Sequence, residues 1–149
     1  MYQRILVAID SSHAAERALA EAIGNARASG GRLILVHALE EPADAIGANP
    51  YAAEYVRGLN EVTKQAAADL LDRARDRAAA AGVQAEAVLL EPGAAPVAER
   101  IVQSARDRKA DLIVMGTHGR HGVKRVMLGS NAHGVLRVAD VPVLLVRTP

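Results

Sequence analysis

The sequence predicts an α/β fold: an open sheet of five parallel strands, with helices on both faces. Two observations carry the prediction. Five apolar runs recur along the chain, and four of them are near-continuous in β-branched residues and leucine, as strands buried on both faces require. Between successive runs lie segments whose apolar residues recur at helical spacing, giving the order βαβαβαβαβ. Alternation of this kind implies parallel pairing through right-handed crossovers. A third observation concerns function. The stretch "GTHGRHGVKRVMLGSNAH" (116–133) places glycines at Gly116, Gly119, Gly122 and Gly129, where an ordinary turn needs one or two.

The elements follow in order. "RILVAID" (4–10) is the first strand. Ala15, Ala18, Leu19, Ala22, Ile23 and Ala26 then form a helical stripe that Gly30 and Gly31 stop. "RLILVHAL" (32–39) is the second strand. "EEPADAIGANPYAAE" (40–54) has no periodicity and is expected to be a mobile loop. Leu59, Val62, Ala66, Leu70, Ala74, Ala78 and Ala81 make the second stripe, ended by Gly82. "QAEAVLL" (84–90) is the third strand. Pro96 sits at the start of the third helix, where its missing N–H costs little, and Val97, Ile101, Val102 and Ala105 form that helix's stripe. "DLIVMG" (111–116) is the fourth strand. Ala132, Val135, Leu136 and Ala139 mark a short fourth helix, which Gly134 weakens, and "VPVLLVR" (141–147) closes the sheet. With neither an internal repeat nor a linker, residues 1–149 read as one domain.

Composition narrows the function. Half the residues are apolar, yet there are three Tyr and no Phe or Trp, so the core must be aliphatic. A stacking platform for single-stranded nucleic acid is missing, and a net charge of +1 leaves no electrostatic footprint for a nucleic-acid partner. The absence of cysteine removes disulfides, thiolate catalysis and thiolate-bound metals. The opening apolar run of six is too short for a signal peptide or a membrane span, and a soluble cytoplasmic protein is expected.

Ligands of such sheets bind outside the carboxyl ends of the strands, where the strand order reverses. If the order is 3-2-1-4-5, the reversal lies between strands one and four, which end at Asp10 and Gly116. The glycine-rich stretch falls at that place. Gly116 and Gly119 let the backbone turn and present N–H groups, and Gly129-Ser130 opens the fourth helix, whose amino end favours anions. Ser130 adds a hydroxyl that caps the helix or meets a phosphate, while Lys124 and Arg125 supply mobile charge. Asp10 faces this cradle as an acceptor for a ribose hydroxyl or a base amine. The plainer reading is a glycine turn followed by a serine N-cap. Among the histidines, His37 ends a buried strand and reads as a hydrogen-bonded structural residue. His118, His121 and His133 lack the fixed spacing of a metal site, and His13 is expected in solvent.

The spacing G116-x2-G119-x9-G129-S130, with "RILVAIDSS", "LILVHAL", "ADLIVMGTHGR" and "LGSNAHGVLRVADVPVLLVR", resembles the ATP-binding branch of the universal stress protein family over the whole chain. The resemblance implies a Rossmann-like adenine-nucleotide-binding fold with strand order 3-2-1-4-5. It implies that Ala8, Ile9 and Asp10 line the pocket and that Ala38 presents backbone to the adenine. Met115 then sits against the nucleotide, while Gly116, His118, Gly119, Gly129 and Ser130 wrap the ribose and phosphates. Asn131 stands where the family commonly has an apolar residue, and it either adds a phosphate contact or reinforces the cap.

The expected ligand is ATP, with Asp10 the candidate carboxylate for a magnesium ion carried on its phosphates. The expected function is that of a stress-response regulatory protein whose nucleotide occupancy sets shape or the choice of a protein partner, itself unknown. The alternative is a slow ATPase or autophosphorylating enzyme using the same pocket. Against that alternative, no G-x4-G-K-[ST] loop, general base or paired metal carboxylates accompany the glycines. A phosphoacceptor receiver is excluded because strand one ends with a single acid and strand three with "LLEPG". A flavodoxin-like carrier would need an aromatic placed to stack the flavin. Finally, 141–147 is apolar, last in the sheet and marked by Pro142 as an edge strand, so a homodimer through it is expected.

Overall fold

The computed structural model describes residues 1–40, 50–118 and 128–149. Its elements run β1 (Arg4–Ala8), α1 (His13–Ser29), β2 (Arg32–Ala38), α2 (Pro50–Ala80), β3 (Ala85–Leu90), α3 (Val97–Asp107), β4 (Leu112–Gly116), α4 (Ser130–Val138) and β5 (Val143–Val146). The sheet has the order β3-β2-β1-β4-β5, with every pair parallel. This is the doubly wound arrangement that the alternation predicts.

Side-chain alternation along the strands divides the core in two. Ile5, Val7 and Ile9 point to one face, where they pack with Ala18, Leu19 and Ala22 of α1 and with Leu71, Ala74 and Ala78 of α2. Leu6, Ile34, Val36, Ile113 and Met115 point to the other, against Ile101, Val102 and Ala105 of α3 and Ala132 and Val135 of α4. Small residues on the helices let them lie close to the sheet, so an aliphatic core closes without aromatics. Ile5, Leu6 and Val7 are completely buried, as a central strand covered on both sides must be.

Three readings of the sequence need correction. Helix α2 begins at Pro50, so residues 50–54, expected in a loop, are helical; residues 41–49 of that expected loop lie outside the described residues. Proline's fixed φ suits the first helical position, which a breaker-based reading of the same residue overlooks. The buried stripe of α2 is Ala67, Leu71, Ala74 and Ala78, one residue out of step with the predicted start, and Leu59 and Val62 stay exposed. On α4, Ala132 and Val135 are buried but Leu136 is exposed.

Gly134 does not mark weakness in α4. A Cβ at that position would lie 2.6 Å from the Ala98 Cβ, so the missing side chain lets α4 lie against α3. The far end of the same helix pair is tied by charge. Arg106 donates from Nε to Asp140 Oδ2 at 3.0 Å and from Nη2 to the Val138 carbonyl at 3.3 Å. The hydrogen bond from Arg106 holds the Asp140 carboxyl below its ordinary pKa.

Candidate functional site

Strands β1 and β4 are neighbours in register, with Ile5 beside Leu112 and Val7 beside Val114. Beyond their carboxyl ends the chain leaves in opposite senses. Helix α1 packs on one face of the sheet and α4 on the other. The crevice between these departures is the switch point of the fold.

Asp10 lies two residues past the end of β1 and is half-buried. Its Oδ1 accepts the Ser12 N–H at 2.7 Å, and Ser12 Oγ in turn accepts the Ala15 N–H at 3.1 Å. This relay fixes the carboxylate and consumes donors at the amino end of α1. Among the described residues, Oδ2 of Asp10 has no hydrogen-bond partner. Ile9 behind it is buried in the α1/α2 core. Its N–H donates to the Val36 carbonyl at 2.8 Å, and its carbonyl lies 2.6 Å from His37 Nδ1. A carbonyl can only accept, so Nδ1 carries the hydrogen and His37 acts as a structural donor, as the sequence reading has it. Ile9 is thus part of the wall, with both backbone groups committed.

At the other lip, Gly116 is the last residue of β4, in register with Val146. Its missing Cβ has a packing cause. A methyl group there would lie 2.6 Å from the Ala14 Cβ and 3.0 Å from the Ala14 carbonyl carbon. The turn expected at Gly116 begins one residue later, at Thr117. Thr117, which no pattern in the sequence marks, is buried and ties the end of β4 to β5 and to the start of α4. Its N–H donates to the Val146 carbonyl at 3.0 Å, and its own carbonyl accepts the Gly129 N–H at 2.7 Å. The second bond brings the two ends of the glycine-rich segment together. His118 is half-buried, with Nδ1 3.1 Å from Thr117 Oγ1. Its Nε2 is buried without a partner among the described residues. Gly119 lies outside the described residues, as do His121, Gly122, Lys124 and Arg125.

Helix α4 starts differently from α1. Its N-cap is Gly129 (φ −60°, ψ 153°), with no side-chain cap bond, and its first helical bond runs from the His133 N–H to the Gly129 carbonyl at 2.9 Å. Ser130 is therefore the first helical residue, which corrects the serine N-cap reading. Ser130 and Asn131 are exposed. The N–H groups of Ser130, Asn131 and Ala132 have no acceptor within the helix, so its positive end is open. Apolar ground lies beneath. Met115 is buried in the α3/α4 core, and Ala8 and Leu128 pack against the same core half-buried. Ala38 ends β2 in register with Leu90, and the following Leu39 N–H donates to the Leu90 carbonyl at 2.9 Å.

The fold thus gathers Ala8, Asp10, Met115, Gly116, His118, Gly129, Ser130 and Asn131 at the ends of β1 and β4, with Ala38 at the end of the next strand. The arrangement pairs an anion-receptive helix end with one positioned carboxylate and an apolar floor. Among the described residues, no three His, Asp or Glu side chains come together as a metal site. Nor is any described helix long and apolar enough to cross a membrane.

Comparison with known proteins agrees with this geometry. Residues 1–147 match the model of the universal stress protein family. The chain is 41% identical over 147 residues to the universal stress protein in the QAH/OAS sulfhydrylase 3′ region of Thermus aquaticus, covering 99% of this chain and 100% of that one. It superposes on a universal stress protein in complex with cAMP with a TM-score of 0.69 and 30% identity, covering 99% and 98% of the two chains. The universal stress protein of Archaeoglobus fulgidus in complex with dAMP gives a TM-score of 0.66 and 27% identity, covering 97% and 98%.

Proposed function

The chain belongs to the universal stress protein family, and from that premise we propose that it binds an adenine nucleotide, ATP foremost, as a regulatory ligand in a stress response. One observation carries the reading. The amino end of α4, capped by a glycine without a side-chain bond, is tied to the end of β4 through Thr117, on the strand next to the one that runs on to Asp10. Related proteins of the same fold are in complex with cAMP and dAMP, both adenine nucleotides.

In this reading the phosphates take the free N–H groups at Ser130 and Asn131 and the Ser130 hydroxyl, with Gly116, His118 and Gly129 around them. Asp10, held through one oxygen, accepts a ribose hydroxyl or the base amine through the other. Ala8 and Met115 floor the pocket, and the backbone at Ala38 borders the base. In place of that contact, the same Asp10 oxygen would suit a magnesium ion carried on the phosphates, which would offset their charge. We further infer that two copies pair through β5.

Calorimetric titration of ATP tests the site. A neutral donor to a charged phosphate contributes about 1.5–3 kcal/mol, so Ser130→Ala should weaken binding about ten- to 150-fold. Because Ser130 is exposed and holds no cap bond, the variant should fold as the native chain does. Unchanged affinity in the folded variant would remove the phosphates from this helix end.

A further inference from the structure

The opposite end of the sheet carries charge that the nucleotide reading does not use. Arg4 and Arg32 open β1 and β2 and are register partners on neighbouring parallel strands, so their side chains leave the sheet on one side. Strands in a sheet lie about 4.8 Å apart, and like charges so placed destabilise the pairing. Neither guanidinium has an acidic partner among the described residues, and the Arg4 Nε is buried with no hydrogen bond.

A groove of about 720 Å³ runs along this rim to the end of α2, lined by Arg4, Arg32 and Arg75 together with Asp76 and Glu86. The acids nearby are mostly engaged. Glu86 Oε1 lies 3.5 Å from Arg108 Nη1, and Asp72 holds Arg75 at 2.9 Å. The Asp111 carboxylate, at the same edge, accepts the Gln3 and Arg4 N–H groups at 2.8 and 3.0 Å. Asp76 is left as the one groove acid without an ion pair among the described residues. Among the groove-lining residues Arg4 and Arg32 therefore outweigh Asp76, while Asp111, which does not line the groove, has both carboxylate oxygens turned to backbone N–H groups.

We propose that this rim is a second ligand site, in which Arg4 and Arg32 together hold a small phosphate-class anion, free or as a monoester. Two planar guanidinium forks suit the oxygens of one phosphate, and the anion removes the repulsion between them. The groove opens at the amino ends of the strands, so its ligand does not compete for space with one at Asp10 and Gly129.

Titrating the full chain with inorganic phosphate, with glycerol phosphate and with sodium chloride at matched ionic strength, while following arginine Nε–Hε and backbone amide resonances, tests the proposal. Saturable shifts of the Arg4 and Arg32 signals in either phosphate, absent in chloride, are expected, and the tighter of the two names the ligand's form. Combining Arg4→Gln with Arg32→Gln should weaken binding at the rim at least tenfold, while any response at Gly129 to Asn131 persists. Should the double variant fail to fold, Arg32→Gln alone, at an exposed position, gives the same comparison. Shifts that do not saturate, that chloride reproduces, or that occur only at Gly129 to Asn131 would overturn the proposal.

Discussion

Gly116 shows how one residue can be read correctly for place and incompletely for cause. Its position at the end of an apolar run marks the switch point from sequence alone. The reason for glycine lies in another element: Ala14 and Ala15 of α1 sit where a side chain would go, with atoms 2.6, 3.0 and 3.2 Å from the place a methyl group would take. No local pattern reveals a neighbour a hundred residues away in the chain. Thr117 is similar, since its two backbone bonds to Val146 and Gly129 are long-range and leave no periodic trace. Gly116→Ala should destabilise the protein by about 1–3 kcal/mol, the usual range for overpacking, measured by urea unfolding. Adding Ala14→Gly should recover only part of the loss, because the Ala14 carbonyl carbon and the Ala15 nitrogen also crowd the site. Stability equal to the native chain in Gly116→Ala would show that α1 yields at no cost.

Among the elements, the strands were legible because burial on both faces forces continuous apolar runs. Helices were legible in existence but less so in facing. Helix α2 is so rich in alanine that two stripes one residue apart are nearly equal in sequence; what separates them is that Leu71 is buried in the core while Leu70 packs against it half-buried. Gly134 in α4 raises a conflict of magnitudes. Alanine favours a helix over glycine by about 0.8–1.0 kcal/mol, but its methyl group would meet the Ala98 Cβ at 2.6 Å. Overpacking costs about 1–3 kcal/mol, so Gly134→Ala is expected to lower stability by up to about 2 kcal/mol net. Here the Ala98 Cβ is the one close atom, so Ala98→Gly combined with Gly134→Ala should restore most of the loss. A double-mutant cycle of unfolding free energies checks this, and additive losses would show that the two methyl groups do not meet.

At the scale of the whole molecule, the strand order makes two surfaces at once. It sets the crevice between β1 and β4, and it puts β5 at the edge with Val143, Leu144 and Leu145 half-buried. Leu136 and Val138, on the helix just before that edge, are exposed as well. An apolar edge with unpaired backbone groups favours antiparallel pairing with a second copy about a two-fold axis. Light scattering at micromolar concentration should give twice the chain mass, and Val143→Lys with Leu145→Lys should give one chain mass with helical circular dichroism retained. A native monomer would contradict the pairing. Nucleotide binding in the crevice is tested most directly by the amide resonances of the uniformly ¹⁵N-labelled chain during an ATP titration. Saturable shifts clustered at Asp10, Ala38, Gly116 and Gly129 to Asn131 are the predicted result. Shifts confined to the amino ends of the strands, or none at millimolar ATP, would contradict it.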